Sequence, residues 1–272
     1  ISLGLVGSEM CIRDSLGTLV AKEAIARSGY EANEVEHAVF GNVIHTEPRD
    51  MYVSRVIALQ AGMDKASAAL TVNRLCGSGL QAIVSASQII MLGDASVAMA
   101  GGVEVMSNGA HIVQGFRWGS RMGDGQVHDM MLGALHDPFG HGHMGITAEN
   151  ISSRYQISRE MQDEFALTSQ KRAHNAIENG IFKDQILPIE IKTRKGIEIF
   201  EIDEHPKPET SMETLKGLRT AFKKDGVVTA GNASGINDGA SALVLANEEK
   251  AKNGKPLARI VSYGFGGVDP DE

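Results

Sequence analysis

Two side chains in this 272-residue sequence are thiols, Cys11 and Cys76, and Cys76 has the surroundings of a nucleophile. It stands in NRLCGSGLQA, where an extended run gives way to an uncharged helical run. Helix N-termini carry about half a positive charge and unpaired N–H groups, so they stabilise a thiolate and offer donors to an oxyanion. Gly77 and Gly79 remove side chains beside the sulfur and open a path for a substrate. The strand–turn–helix context is physically like the nucleophile elbow of hydrolases. The other reading is a free cysteine packed as a small core residue, and context alone leaves both open. Two further groups could do chemistry. His136, His141 and His143 cluster in HDPFGHGH, but no cysteine or second cluster stands near to complete three or four zinc ligands, so no metal is expected. Gly231, Ser234 and Gly235 in TAGNASGINDG form a turn whose backbone is open to a ligand.

These residues need elements to hold them. Leu16 to Ser28 reads as a helix stopped by Gly29, with Leu16, Val20 and Ala24 on one face beside Ala21 and Ile25. His37 to Ile44 reads as a strand, Met51 to Ala61 as a helix ended by Gly62, and Ala68 to Leu75 as an extended run. A helix from Gly77 to Leu92, closed by Gly93, leads to a buried strand, Ser96 to Ala100, ending in Gly101 and Gly102. Strands alternating with helices predict a mainly parallel α/β sheet. The helix 77–92 carries no charge, which predicts burial on all sides, between two sheets. The expected architecture is therefore a layered α/β/α/β/α arrangement around this helix. Asn108 to Gly145 reads as loop, rich in Gly, Met and His, and the glycines of GVEVMS and GVDP as turn residues. Ser158 caps a long amphipathic helix, Arg159 to Asn179, with Met161, Phe165 and Ile177 as its apolar positions. Residues 183–225 hold equal numbers of acids and bases and read as a solvated surface insertion. The run TAGNASGINDGASALVLA ends in a buried strand, and ARIVSYG reads as another.

Composition bounds the function classes. Hydrophobic residues make up 42% and charged residues 22%, which excludes collagen, coiled coil and wholesale disorder. A net charge of −8 repels nucleic acid and anionic lipid, so neither is an expected partner. The longest apolar run, Ile83 to Leu92, falls short of a membrane span, so no membrane is expected either. Glycine is enriched, 31 of 272, and aromatics are only 5%, which points to closely packed layers with backbone used as a binding surface. The first fifteen residues, ISLGLVGSEMCIRDS, read differently from the rest. MCIRDS back-translates to a transposase end sequence used in sequencing adaptors, so residues 1–15 are expected to be a non-native scar. Cys76 is then the one native thiol, no internal disulfide is expected, and a missing leader sequence carries no meaning.

NRLCGSGLQAI and GDASVAMAGGVEVMS, followed in order by RMGDGQVHDMMLGALHDPF, HMGITAEN, TAGNASGINDGASA and GVDPDE, resemble the thiolases. The likeness is to the acetyl-CoA acetyltransferase and β-ketothiolase branch and runs from Leu16 to Glu272, about two thirds of a thiolase. It implies an N-terminal thiolase domain at 16–107 and 237–258, and an inserted loop domain for coenzyme A and oligomer contacts at 108–236. Residues 259–272 would begin a C-terminal domain cut short. It implies that Cys76 carries the acyl group, that His143 and Met144 lie beside the acyl and pantetheine part of coenzyme A, and that Met144 with Leu135 narrows the acyl pocket. Ser234, with Ala230, Ala233 and Ile236, would hold the pantetheine and adenine end, and Phe222 would flank the adenine. Lys207 stands where many thiolases have Arg, and lacks that residue's planar fork. The implied reaction is a two-stage Claisen exchange of acetyl-CoA with a short acyl-CoA, or its reverse, thiolysis, with no cofactor beyond the coenzyme A thioesters themselves. A cytoplasmic homo-oligomer, dimer or tetramer, in fatty acid metabolism is implied as well. The family also uses an activating His, an Asn that orients water and a second Cys, all expected beyond residue 272. The alternatives are a ketoacyl synthase or hydroxymethylglutaryl-CoA synthase on the same fold, and a non-catalytic acyl-CoA or lipid-binding relative. The residues around Cys76 disfavour the former, and the retained thiol disfavours the latter.

Overall fold

A computed structural model of the chain describes residues 13–193, 196–252 and 254–272. Most of the proposed scar, residues 1–12, lies outside them. The elements run α1 (Arg13–Ser28), β1 (His37–Gly41), α2 (Val53–Gln60), β2 (Ala68–Val72), α3 (Ser78–Leu92) and β3 (Val97–Val105). The insertion follows: β4 (His111–Val113), β5 (Val127–Asp129), α4 (Met130–Leu135), β6 (His136–Asp137), β7 (Gly142–His143), α5 (Met144–Arg154) and α6 (Arg159–Glu178). It closes with β8 (Ile189–Thr193), β9 (Gly196–Phe200) and α7 (Met212–Lys216), before β10 (Asp238–Ala246) and α8 (Glu248–Ala251).

Four strands form the main sheet in the order β10-β3-β1-β2, with β1 parallel to both neighbours and β10 antiparallel to β3. Side chains alternate across it with the two-residue period of a strand. Ala38, Phe40, Val97 and Met99 face α1 and α2, joining Leu16, Ala21, Ile25, Val53 and Ile57 in the larger core. Val39, Ala98 and Ala100 face the other way, onto Ala82 and Ala86 of α3. Small residues on that side let α3 approach closely. Gly41 shows how closely: a Cβ there would sit 2.7 Å from the carbonyl carbon of Ser78.

The described residues make three layers, α1/α2, sheet and α3, the part of the expected five-layer fold that this chain covers. The second sheet expected over α3 belongs to the C-terminal domain, so one face of α3 is open here. Its Ala82 and Ala86 face is buried, while Leu80, Met91 and Leu92 are exposed, because no second sheet among the described residues covers them. The membrane expectation also needs correcting. Leu75–Leu92 is, among the described residues, long and apolar enough to cross a bilayer, with a mean hydropathy of 1.5. The window holds no charged residue, yet one face of this helix packs on a sheet.

Other expectations shift for identifiable reasons. Gly101 and Gly102 do not end β3, which runs on to Val105. Gly101 is there for a close approach, since a Cβ would strike the Phe40 ring and come within 2.6 Å of the Ser241 carbonyl oxygen. The stretch read as loop, 108–145, holds α4 and two short hairpins, β4–β5 and β6–β7. Along α6 the apolar Met161 and Phe165 are exposed, and the buried residue is Asp163. Residues 258–264 form no strand; Gln88 Nε2 of α3 donates to the Tyr263 hydroxyl at 2.7 Å.

Candidate active site

Cys76 is a free, exposed thiol, so it fills no core. It sits at the head of α3, whose N-cap is Gly77. The preceding Leu75 has φ +46°, a left-handed conformation that costs a branched residue about 1–2 kcal/mol. Three hydrogen bonds hold it there. Asn73 Oδ1 accepts from the Leu75 N–H at 2.9 Å, Ser78 Oγ accepts from the Arg74 N–H at 2.8 Å, and the same hydroxyl donates to the Leu75 carbonyl at 2.6 Å. The Arg74 guanidinium lies 4.3 Å over the ring of Phe265. On the α3 side, a side chain at Gly79 would meet only open space.

A second group gathers on the insertion. His143 ends β7 and caps α5, its Nδ1 accepting from the Gly145 N–H at 3.0 Å. The remaining proton therefore sits on Nε2 of a neutral ring. Burial, and then the neighbouring His136, hold His143 below the usual imidazole range. Phe222 stacks on it at 4.7 Å and 23°, and His136, its partner in the β6–β7 register, meets it edge-on at 5.2 Å. Gly145 must lack a side chain, because a Cβ would overlap the Phe222 ring. Met144, the first residue of α5, is 40% exposed, and Leu135, at the end of α4, is half-buried.

The third group is the turn before β10. Ala230, Ser234 and Ile236 are exposed and Ala233 half-buried, and Ser234 Oγ donates to the Gly235 carbonyl at 3.2 Å. Lys207 is exposed on a separate segment, tied down by its N–H donating to Gln170 Oε1 at 2.8 Å. The structure thus joins His143 to Phe222 and sets Met144 next to them, and it gathers Ala230, Ala233, Ser234 and Ile236 on one turn. No described hydrogen bond or ring contact links the Cys76 turn to His143. A cavity of about 340 Å³ lies elsewhere, beside Val20, Ala24, Phe182, Ile186 and Ala242, and contains none of the expected site residues.

Sequence reasoning missed Ser78, Glu149, Asp163 and Asn232. Glu149 and Asp163 are charged residues inside helical runs, where a solvated face is the ordinary reading. Asn232 lies within the quoted turn, and its side-chain partners are far away in sequence.

A family model described as the N-terminal domain of thiolase matches residues 7–249. The chain belongs to the thiolase family. It is 55% identical over 258 residues to beta-ketothiolase BktB of Cupriavidus necator, covering 94% of this chain and 66% of that relative. It is 47% identical to the acetyl-CoA acetyltransferase of Syntrophomonas wolfei, over 94% of this chain and 65% of the relative. In fold it is similar to the crystal structure of human mitochondrial 3-ketoacyl-CoA thiolase in complex with CoA, at a TM-score of 0.91 and 40% identity, over 96% of this chain and 66% of that one. The acetyl-CoA acetyltransferase of Bacillus anthracis superposes with a TM-score of 0.92 at 45% identity, over 99% and 68% of the two chains. This thiolase chain therefore has the thiolase fold over its length, and spans about 66% of the curated relatives it matches.

Proposed function

We propose that this thiolase chain carries the acyl-accepting half of an acetyl-CoA acyltransferase, with Cys76 as the nucleophile. The exposed thiol at the head of α3, with glycine on its helical side, carries the reading. Relatives named beta-ketothiolase and acetyl-CoA acetyltransferase support it. In the first stage the Cys76 thiolate attacks the carbonyl carbon of an acyl-CoA, a C–S bond forms, and coenzyme A leaves as its thiolate. In the second, a base removes an α-proton from acetyl-CoA and the resulting carbanion attacks the acyl-Cys76 carbonyl. The 3-ketoacyl-CoA departs and the Cys76 thiolate returns; thiolysis is the same path backward. His143, neutral with its proton on Nε2, presents a donor to the thioester region without adding charge. Met144 and Leu135 bound the acyl chain, and Ala230, Ala233, Ser234, Ile236, Phe222 and Lys207 line the path of the coenzyme. No resident cofactor takes part, and homo-oligomeric assembly and a cytoplasmic location belong to the same proposal.

Mass spectrometry after mixing with acetyl-CoA tests it. Acetyl is expected on the peptide containing Cys76, and none on that peptide in Cys76→Ser. Acetylation that survives in Cys76→Ser at an undiminished level would sink the assignment.

A further inference from the structure

The turn assigned above to coenzyme A is irregular backbone between the insertion and β10, held by side-chain hydrogen bonds as well as by packing of Val228 and Thr229. Two buried carboxylates stand behind it. Glu149 of α5, 3% exposed, accepts from the Val227 N–H at 2.9 Å and the Val228 N–H at 2.9 Å. Asp163 of α6, fully buried, pairs with Arg159 at 2.7 Å and accepts from Asn232 Nδ2 at 3.0 Å. Asn232 then closes the turn on itself: Nδ2 also donates to the Val227 carbonyl at 3.0 Å, and Oδ1 accepts from the Thr229 N–H at 2.8 Å. Both amide hydrogens and the amide oxygen are therefore used. No other common side chain of that size offers two donors and an acceptor together.

We infer that Asn232, backed by Asp163, is the positioning residue that sets the backbone of 227–235 to receive the pantetheine and nucleotide of coenzyme A. The inference rests on the coenzyme reading above and adds to it a residue that touches no substrate. An amide is used here because it ties a carboxylate on one side to a carbonyl and an N–H on the other. Asn232→Asp loses both donors and sets two carboxylates against each other at hydrogen-bonding distance. Asn232→Ala removes the links without adding charge.

Titration calorimetry with coenzyme A, run on the whole chain, reads the effect. Asn232→Ala is expected to weaken coenzyme A binding about tenfold or more, while alkylation of Cys76 by iodoacetamide stays within about twofold of the unaltered chain. Hydrogen exchange should quicken at the Thr229 amide, whose N–H donates to Asn232 Oδ1, and not in α3. Asn232→Asp should be worse, and adding Asp163→Asn should recover part of the binding, because one donor and one acceptor face each other again. Coenzyme A binding that Asn232→Ala leaves unchanged would overturn the inference alone. Failure of the unaltered chain to bind coenzyme A would overturn the coenzyme reading itself, and the inference with it. A loss of alkylation in step with binding would mark a general folding defect and also overturn the positioning role.

Discussion

At the scale of single residues, Cys76 was legible because its signal is local: a thiol, two glycines and a helix start within four positions. His143 was legible only through the resemblance, since three histidines in eight residues could equally have been a solvated loop. Its state needed the structure, because the Gly145 N–H that fixes the tautomer comes from a backbone turn. The acyl pocket gives a first prediction. Met144→Ala should raise kcat/KM for longer 3-ketoacyl-CoA relative to acetoacetyl-CoA by about tenfold or more, as one or two methylenes are worth about 1–3 kcal/mol. Steady-state assays of the completed enzyme check it, and an unchanged ratio would move the determinant elsewhere. A second prediction concerns acid. His143 is held low by burial and then by His136, and His37 by burial against an opposing pull from Asp94. Both folded values lie below that of a free imidazole, about 6.5. Their contribution to stability is therefore whole above about pH 6.5 and is lost as pH falls from there toward the folded values. Urea titrations at pH 8, 6.5 and 5.5 should show this decline, and His37→Asn should flatten it.

At the scale of elements, the sheet and its helices were largely legible, since alternation and glycine stops mark them directly. Expectation failed for the end of β3. Two adjacent glycines look like a turn from sequence, yet Gly101 serves the Phe40 ring crossing from β1. An uncharged helix signals burial without saying by what, and in α3 one side is still open. The contact between Gly41 and Ser78 makes the seating of α3 testable. Gly41→Ala should cost about 1–3 kcal/mol by overpacking. It should also slow acylation of Cys76, because the helix that carries the thiol must lift from the sheet. Denaturant melts read the first effect and stopped-flow acylation the second. Leu80→Lys, on the open side, should change the stability of this 272-residue chain by no more than about 0.5 kcal/mol.

For the molecule as a whole, the chain by itself is expected to take an acyl group on Cys76 but to form no carbon–carbon bond. Acid–base help is typically worth about 10²–10⁴-fold and an oxyanion donor about 10²–10³-fold. The resemblance puts the acid/base group and the second donor site beyond residue 272. An assay of acetoacetyl-CoA cleavage by residues 16–272 should therefore read background. The same residues joined to the C-terminal third of a relative should turn over, and equal rates would refute the division of labour. The insertion was legible as a change in composition, whereas its internal braces were not, because Glu149, Asp163 and Asn232 find one another only after folding. One consequence lies in time rather than space. β10 pairs with β3 along nine residues, from Asp238 opposite Val105 to Ala246 opposite Val97, yet the whole insertion is synthesised between them. While the ribosome makes that insertion, the flank of β3 stays bare, and closing so long a loop is slow. A nascent chain arrested before residue 238 would offer that bare flank to any other strand nearby.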